Sequence, residues 1–342
     1  MKTKLVIAIL VLCLAGGSAM AAKAKPKPKP KPKAPTTHHE TMGTEQLKGE
    51  YGEIGHTYTL GKASPWNFRL NSVEYSVDTI KLGDRIVYPN SKQKLLVLRY
   101  TVHNPQKSEA QMRFDTIRFT AVDANDQNCE YAGAIATDDG KFNTVDMQMK
   151  PAQKKDILTV IVLPAEGQVP KLMVTNYDED GVIRYDLRGK IKPLAAPFAD
   201  PKDEKGCTAV ETVPAQFGTA YPLGLCSLKV EEISYRDTAI KDEEPPEGGK
   251  FLIATCTAKC LNTYDVTFRF DTFIFKVKDA DGVPIDCCGN MIRASSDADL
   301  DMSLKPDQEM RFRTYIPIEK GVTPKTLTVS EEEGRAFEYQ LP

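Results

Sequence analysis

From Leu95 to Val102 apolar side chains take alternate positions, so that Leu96, Leu98, Tyr100 and Val102 share one face with the period of a half-buried β-strand. The alternation recurs at Leu252, Ala254, Cys256 and Ala258, at Ile117, Phe119 and Ala121, and at Phe273, Phe275 and Val277. Asp156–Leu163 and Glu309–Ile318 read as further strands, each stopped at Leu-Pro or Ile-Pro because proline brings no amide donor to a central ladder. Turn formers separate these runs: Asn104-Pro105, Asp123 to Asp126, Asp139-Gly140, Asp180-Gly181 and Asp281-Gly282. No segment sustains a helical period over more than about three turns. The pattern predicts an all-β chain of antiparallel sandwiches.

Its organisation follows from a duplication. Arg113-Phe114-Asp115-Thr116 precedes Val122-Asp123-Ala124-Asn125, and Arg269-Phe270-Asp271-Thr272 precedes Lys278-Asp279-Ala280-Asp281 at the same spacing. Asp146 to Pro151 recurs as Asp301 to Pro306, Pro170-Lys171 as Pro324-Lys325, and Tyr185-Asp186-Leu187 as Tyr339-Gln340-Leu341. Two tandem sandwiches are expected, over residues 50–190 and 212–342, each of about seven short strands. The connector 191–211, rich in Pro, Ala and Asp from Ala195 onward, suggests a flexible hinge.

A resemblance rests on four stretches. They are Trp66 to Tyr75 (WNFRLNSVEY), a strand running into Val102-His103-Asn104-Pro105, an aromatic strand ending in Val122-Asp123-Ala124-Asn125, and a late apolar strand closing at Pro164. In that order they resemble the secreted immunoglobulin-like modules grouped with the mycobacterial immunoprotective extracellular protein, over roughly Gly52 to Gly189 and Thr212 to Leu341. The resemblance implies an Ig-like fold and an extracytoplasmic setting, and carries over no catalytic residue. The second repeat departs at Cys256 to Cys260, where the first runs into Asn-Pro.

Residues 1–21 have the form of a signal peptide: basic Lys2 and Lys4, an apolar run from Leu5 to Ala15, and Ala19-Met20-Ala21 before the expected cut. Cys13 lies inside the apolar run, where a lipid-acceptor cysteine does not belong. The mature chain is thus expected to be secreted or periplasmic, with no transmembrane segment. Residues 22–49 open with alternating lysine and proline, an extended rod of about 40 Å. Lys23, Lys25, Lys27, Lys29, Lys31 and Lys33 make this either a solvated spacer or a tether to anionic cell-wall polymer. A net charge of -2 argues against nucleic acid as a partner.

Of the eight cysteines, six (Cys207, Cys226, Cys256, Cys260, Cys287 and Cys288) fall in or just before the second repeat. An oxidising destination makes disulfides the expectation, and the spacing lacks the CxxC and histidine pairs of a zinc site. Ungapped alignment of the repeats puts Tyr100 on Cys256 and Tyr131 on Cys287, so Cys256–Cys287 is the favoured bridge, with Cys288 as competing partner. Cys256 and Cys260 share a face about 13 Å apart and should not bond each other. Cys207 with Cys226 is a further candidate pair, leaving Cys129 unpaired.

No motif marks catalysis, a metal or a cofactor: there is no G-x-S-x-G elbow, no HExxH helix and no phosphate-cradling glycine loop. The duplicated Asp123 and Asp279 segments suit hairpin turns better than calcium. Arg-Phe-Asp-Thr reads as fold support, and His38-His39-Glu40 as part of the linker. The expected role is a non-catalytic binding or structural module at the cell envelope, with an unidentified protein or glycan partner. The alternative is an accessory protein or inhibitor of a secreted enzyme. The acidic stretches Asp242 to Gly249 and Ser295 to Asp301 are candidate contact loops.

Overall fold

A computed structural model describes residues 51–342 apart from Asp180, 270–271, 286–289 and Asp301. Among these residues there are strands, turns and loops, and no helix. The first half carries β1 (Thr57–Leu60), β2 (Trp66–Ser76), β3 (Ile80–Leu82), β4 (Arg85–Val87), β5 (Gln93–His103), β6 (Ala110–Met112), β7 (Ile117–Val122), β8 (Asn128–Glu130), β9 (Ala136–Thr137), β10 (Met147–Met149), β11 (Lys154–Pro164), β12 (Lys171–Asn176) and β13 (Val182–Asp186). The second carries β14 (Thr212–Ala215), β15 (Ala220–Leu223), β16 (Cys226–Arg236), β17 (Lys250–Cys260), β18 (Val266–Phe268), β19 (Ile274–Asp279), β20 (Pro284–Ile285), β21 (Asn290–Arg293), β22 (Met302–Leu304), β23 (Glu309–Ile318), β24 (Pro324–Ser330) and β25 (Ala336–Gln340).

In the first half a sheet ordered β1-β2-β5-β11-β9 packs against one ordered β13-β12-β7-β8. In the second the orders are β15-β16-β17-β23-β21 and β14-β25-β24-β19-β20. These are β-sandwiches whose described strands pair antiparallel except β14 with β25, with isolated parallel bridges at Gly52–Tyr185 and Glu74–Lys192. The alternation read from the sequence builds their cores. Leu96, Leu98, Tyr100 and Val102 of β5 meet Ile117, Phe119 and Ala121 of β7, with the Tyr100 and Phe119 rings 4.9 Å apart. Each such fully buried large side chain contributes about 1.5–3 kcal/mol.

The central strands differ from the half-buried expectation. Leu95 and Val97, on the outward face of β5, are also fully buried, because the β3–β4 hairpin and Ala134 and Ala136 fold over them as a second small core. Ile240 and Ile292 do the same for Phe251 and Ile253 on β17. β23 spans Glu309–Ile318 as expected, with Pro317 opposite Phe251 inside the ladder, and β11 takes in Pro164 as its last residue, so each proline sits at or next to the strand end and does not stop the strand before it.

Two local devices occur in both halves. The β2–β5 register shifts between Leu70 and Ser72, and the β16–β17 register between Val230 and Glu232. Each skipped residue reaches a threonine on the neighbouring strand, Asn71 to Thr101 Oγ1 at 2.9 Å and Glu231 to Thr257 Oγ1 at 2.8 Å. Such bulges bend and twist a strand. Asp123 Oδ1 accepts the amides of Asn125 and Gln127, and Asp279 Oδ1 those of Asp281 and Val283, so both aspartates serve as turn residues.

The connector is not a free hinge. Leu194 N bonds Gly206 O, Val210 N bonds Phe198 O and Ala209 N bonds Ala165 O, each at 3.0 Å. Asp203 accepts the amides of Cys207 and Thr208, which folds the segment on itself. Lys94, fully buried on β5, donates to the carbonyls of Ala165 (3.1 Å), Gly167 (2.6 Å) and Cys207. Phe198 packs against both main cores. The composition signalled flexibility, but buried Leu194, Cys207 and Ala209 anchor the segment to the first core.

The described residues of both halves belong to one compact unit. Thr79 Oγ1 donates to Gly224 O at 2.7 Å, Thr263 Oγ1 to Asp84 O at 3.0 Å, and Ser91 N to Glu333 O at 3.0 Å. Arg335, almost wholly buried, donates to the carbonyls of Asn90, Ser91 and Gln93. The 79–93 segment of the first half thus covers one end of the second.

Candidate functional site

At the end of the first half formed by the β1–β2, β6–β7 and β12–β13 loops lies an open groove of about 310 Å³. The Arg-Phe-Asp-Thr segment builds one wall. Arg113 N donates to Thr116 Oγ1 at 2.9 Å, Thr116 N to Arg113 O at 3.1 Å, and Tyr177 N to Thr116 O at 3.2 Å. In the second half Arg269 N and Thr272 Oγ1 close the same turn at 2.8 Å, so the threonine hydroxyl does the fold-supporting work expected of this motif.

This turn leaves two aromatic rings in solvent, Phe114 at 49% and Tyr177 at 55% exposure. The Arg118 guanidinium sits 5.0 Å from the centre of the Tyr177 ring and pairs with Glu179 at 3.3 Å. The groove beside Tyr177 is lined by Trp66, Gln111, Arg113, Asp115, Tyr177 and Asp178. It offers an aromatic face, amide and guanidinium donors, and carboxylate acceptors. That combination suits a polyhydroxylated ring, whose C–H face stacks on tyrosine while its hydroxyls bond the polar wall.

A second cavity, of about 180 Å³, lies where the halves meet, lined by Thr79, Tyr88, Gly224, Glu331, Arg335 and Phe337 among others. Gly224 belongs to the two-residue β15–β16 turn at φ 51°, and a Cβ there would meet Glu331 Oε2 at 2.0 Å. The positive φ favours glycine there, and any side chain would have to displace the Glu331 carboxylate. Burial pushes the Glu331 carboxyl up to about 7. This cavity is walled in part by the chain's own first half, whereas the 310 Å³ groove is more open to solvent.

The predicted site residues are scattered. Among the described residues the cysteines Cys129, Cys207, Cys226, Cys256 and Cys260 are free thiols. The Cys207–Cys226 pairing is corrected: Cys207 belongs to the first core and Cys226 to the second. Cys256 is fully buried in the second core, while Cys287 and Cys288 lie outside the described residues, and the favoured bridge with them. The aromatic counterpart in the first half is indirect, Tyr100 and Tyr131 both packing on Phe119 at 4.9 and 6.0 Å. Lys23, Lys25, Lys27, Lys29, Lys31, Lys33 and the leader also lie outside the described residues.

The acidic loops spend part of their charge internally. Asp297 pairs with Arg236 and Arg313, both at 2.9 Å, and Asp299 with Lys241 at 2.5 Å. His103 faces Asn67 at 3.0 Å. Among the described residues no group of three or more His, Cys, Asp or Glu side chains is placed to hold a metal ion, and no described helix is long and apolar enough to cross a membrane.

No protein-family model and no curated protein matches the sequence. Among solved structures, an uncharacterized β-sandwich protein from Clostridium difficile 630 aligns at 18% identity and a TM-score of 0.31, over 42% of this chain and 99% of its own. A conserved hypothetical protein from Bacillus anthracis aligns at 17% identity and a TM-score of 0.26, over 32% of this chain and 84% of its own.

Proposed function

We propose that the chain is an exported, non-catalytic binding protein of the cell envelope, made of two tandem Ig-like sandwiches, which grips glycan in the end groove of its first half. The observation that carries this reading is the exposed Tyr177 ring in a groove walled by the polar side chains of Gln111, Arg113, Asp115 and Asp178. Its backbone is held by hydrogen bonds before any ligand arrives, so little ordering entropy is lost on binding. The tandem relation draws on the paired strand orders, the paired bulges and the paired threonine turns. Export rests on the leader-like residues 1–21, and the lysine–proline stretch supplies a second, electrostatic hold on anionic wall polymer.

Co-sedimentation of the mature protein with isolated insoluble cell-wall glycan tests the proposal. Tyr177→Ala and Phe114→Ala are each expected to weaken retention about tenfold or more at any salt concentration, as exposed aromatic anchors do. Deleting 23–35 is expected to remove only the part of retention that high salt also removes. Retention unchanged in both aromatic variants sinks the glycan assignment.

A further inference from the structure

The ladder between β16 and β17 sets Cys226 directly opposite Cys260. Opposed residues of an antiparallel pair alternate between those that exchange hydrogen bonds and those that do not. The second kind brings Cα atoms to about 4.5 Å, within the span of about 4.4–6.8 Å that a disulfide bridges. Cys226 and Cys260 are of this second kind. One step along, Leu261 N bonds Leu225 O at 2.9 Å, whereas the Cys260 amide and carbonyl turn to the other side, onto Gln308 O at 3.0 Å and Asp307 N at 3.1 Å.

Residues facing each other on a ladder point to the same side of the sheet, and here both enter the second core, at 2% and 0% exposure. The β16–β17 ladder continues from this pair through a bulge between Val230 and Glu232 to Arg236 opposite Phe251, so a slip that separates the cysteines would break pairing along the whole ladder. The first half has Trp66 and Asn104 one step beyond its Asn67–His103 pair, and Asn104 uses its amide group to bond Ser108 O and Met149 O. The shared framework therefore does not itself require sulfur here.

We propose that Cys226 and Cys260 form a cross-strand disulfide when the chain folds among oxidants. The oxidant is an external disulfide such as oxidised glutathione. One cysteine thiolate attacks it, forming a mixed disulfide and releasing one carrier thiol. The second thiolate then displaces the other carrier half, so that the carrier leaves as two thiols holding both electrons and both protons. With both sulfurs buried in the folded chain, exchange takes place before the second core closes. The bridge ties β16 to β17 beside the Gly224 carbonyl that accepts Thr79 of the first half. This inference rests on register and not on the glycan reading, and its test does not involve glycan.

The full chain is reduced, unfolded, refolded in a glutathione redox buffer, alkylated and mapped without reductant. Trypsin cuts after Lys259 and parts Cys256 from Cys260, and chymotrypsin cuts after Phe217 and parts Cys207 from Cys226. The expected result is a Cys226 peptide joined to a Cys260 peptide, lost on reduction, with the melting temperature falling by several degrees when the bridge is opened. Cys260→Ser is expected to leave Cys226 alkylated, but the wild-type map decides alone if that variant does not fold. Wild-type Cys226 and Cys260 recovered as alkylated thiols, or either joined to Cys207, Cys256, Cys287 or Cys288, overturns the assignment.

Discussion

Two ionisable side chains withdrawn from solvent show how single residues raise or lower stability. Lys94 answers three carbonyls from inside the first core, and burial lowers its ammonium to about 8. Lys94→Met keeps the volume but strands those carbonyls, with an expected loss of about 2–4 kcal/mol in urea unfolding. The connector should then loosen, with Cys207 becoming open to alkylation before the core unfolds. Glu331 works against stability. Its carboxyl rises by burial from 4.5 to about 7, so between those values the folded chain keeps a proton that the unfolded chain releases. Its contribution is therefore most favourable below about pH 4.5 and is lost as pH rises through about 7. Glu331→Gln should match the wild type near pH 4 and exceed it by about 3 kcal/mol at pH 8, read as the difference in unfolding free energy by urea denaturation. Neither role was legible in the sequence. A lysine beside Leu95 looks like a solvated neighbour until the carbonyls around it are placed, and a glutamate in an acidic turn looks exposed until Gly224 is brought against it.

Strands and turns were far more legible. Period-2 alternation located β5, β7, β17 and β19, since one face of each lies on a core, and the paired aspartates were read as the turn residues they are. Alternation could not reveal that Leu95 and Val97 are also covered, because the covering hairpin comes from three-residue strands too short to carry a period. The groove was missed for a related reason. Tyr177 follows Asn176 in a polar turn, and only folding brings it to Arg113 and Asp115 of a distant loop. The duplicated turn itself makes a prediction. Thr116→Ala and Thr272→Ala each remove one hydroxyl–amide bond and should each cost about 1 kcal/mol in chemical denaturation. Their effects should add in the double variant, because the two turns lie in different halves of the chain. Coupling well beyond measurement error would mean that the halves communicate through these loops.

Across the whole molecule, the second half is seated on the 79–93 segment of the first through Arg335, while the equivalent end of the first half stays open as the groove. Arg335→Ala removes donors to three partly buried carbonyls. It should cost about 2–3 kcal/mol and split a single calorimetric unfolding transition into two, and an unchanged single peak would count against the junction as the coupling element. The central claim is that ligand enters the open end and not the closed one. Its most direct test is to titrate the isotope-labelled mature chain with soluble cell-wall glycan fragments and follow the amide and indole resonances. Saturable shifts confined to Gln111–Thr116, Tyr177, Asp178 and the Trp66 indole are the predicted result. Shifts centred on Glu331 and Gly224, or on the acidic loops 242–249 and 295–301, would contradict it, as would no saturable shift at all.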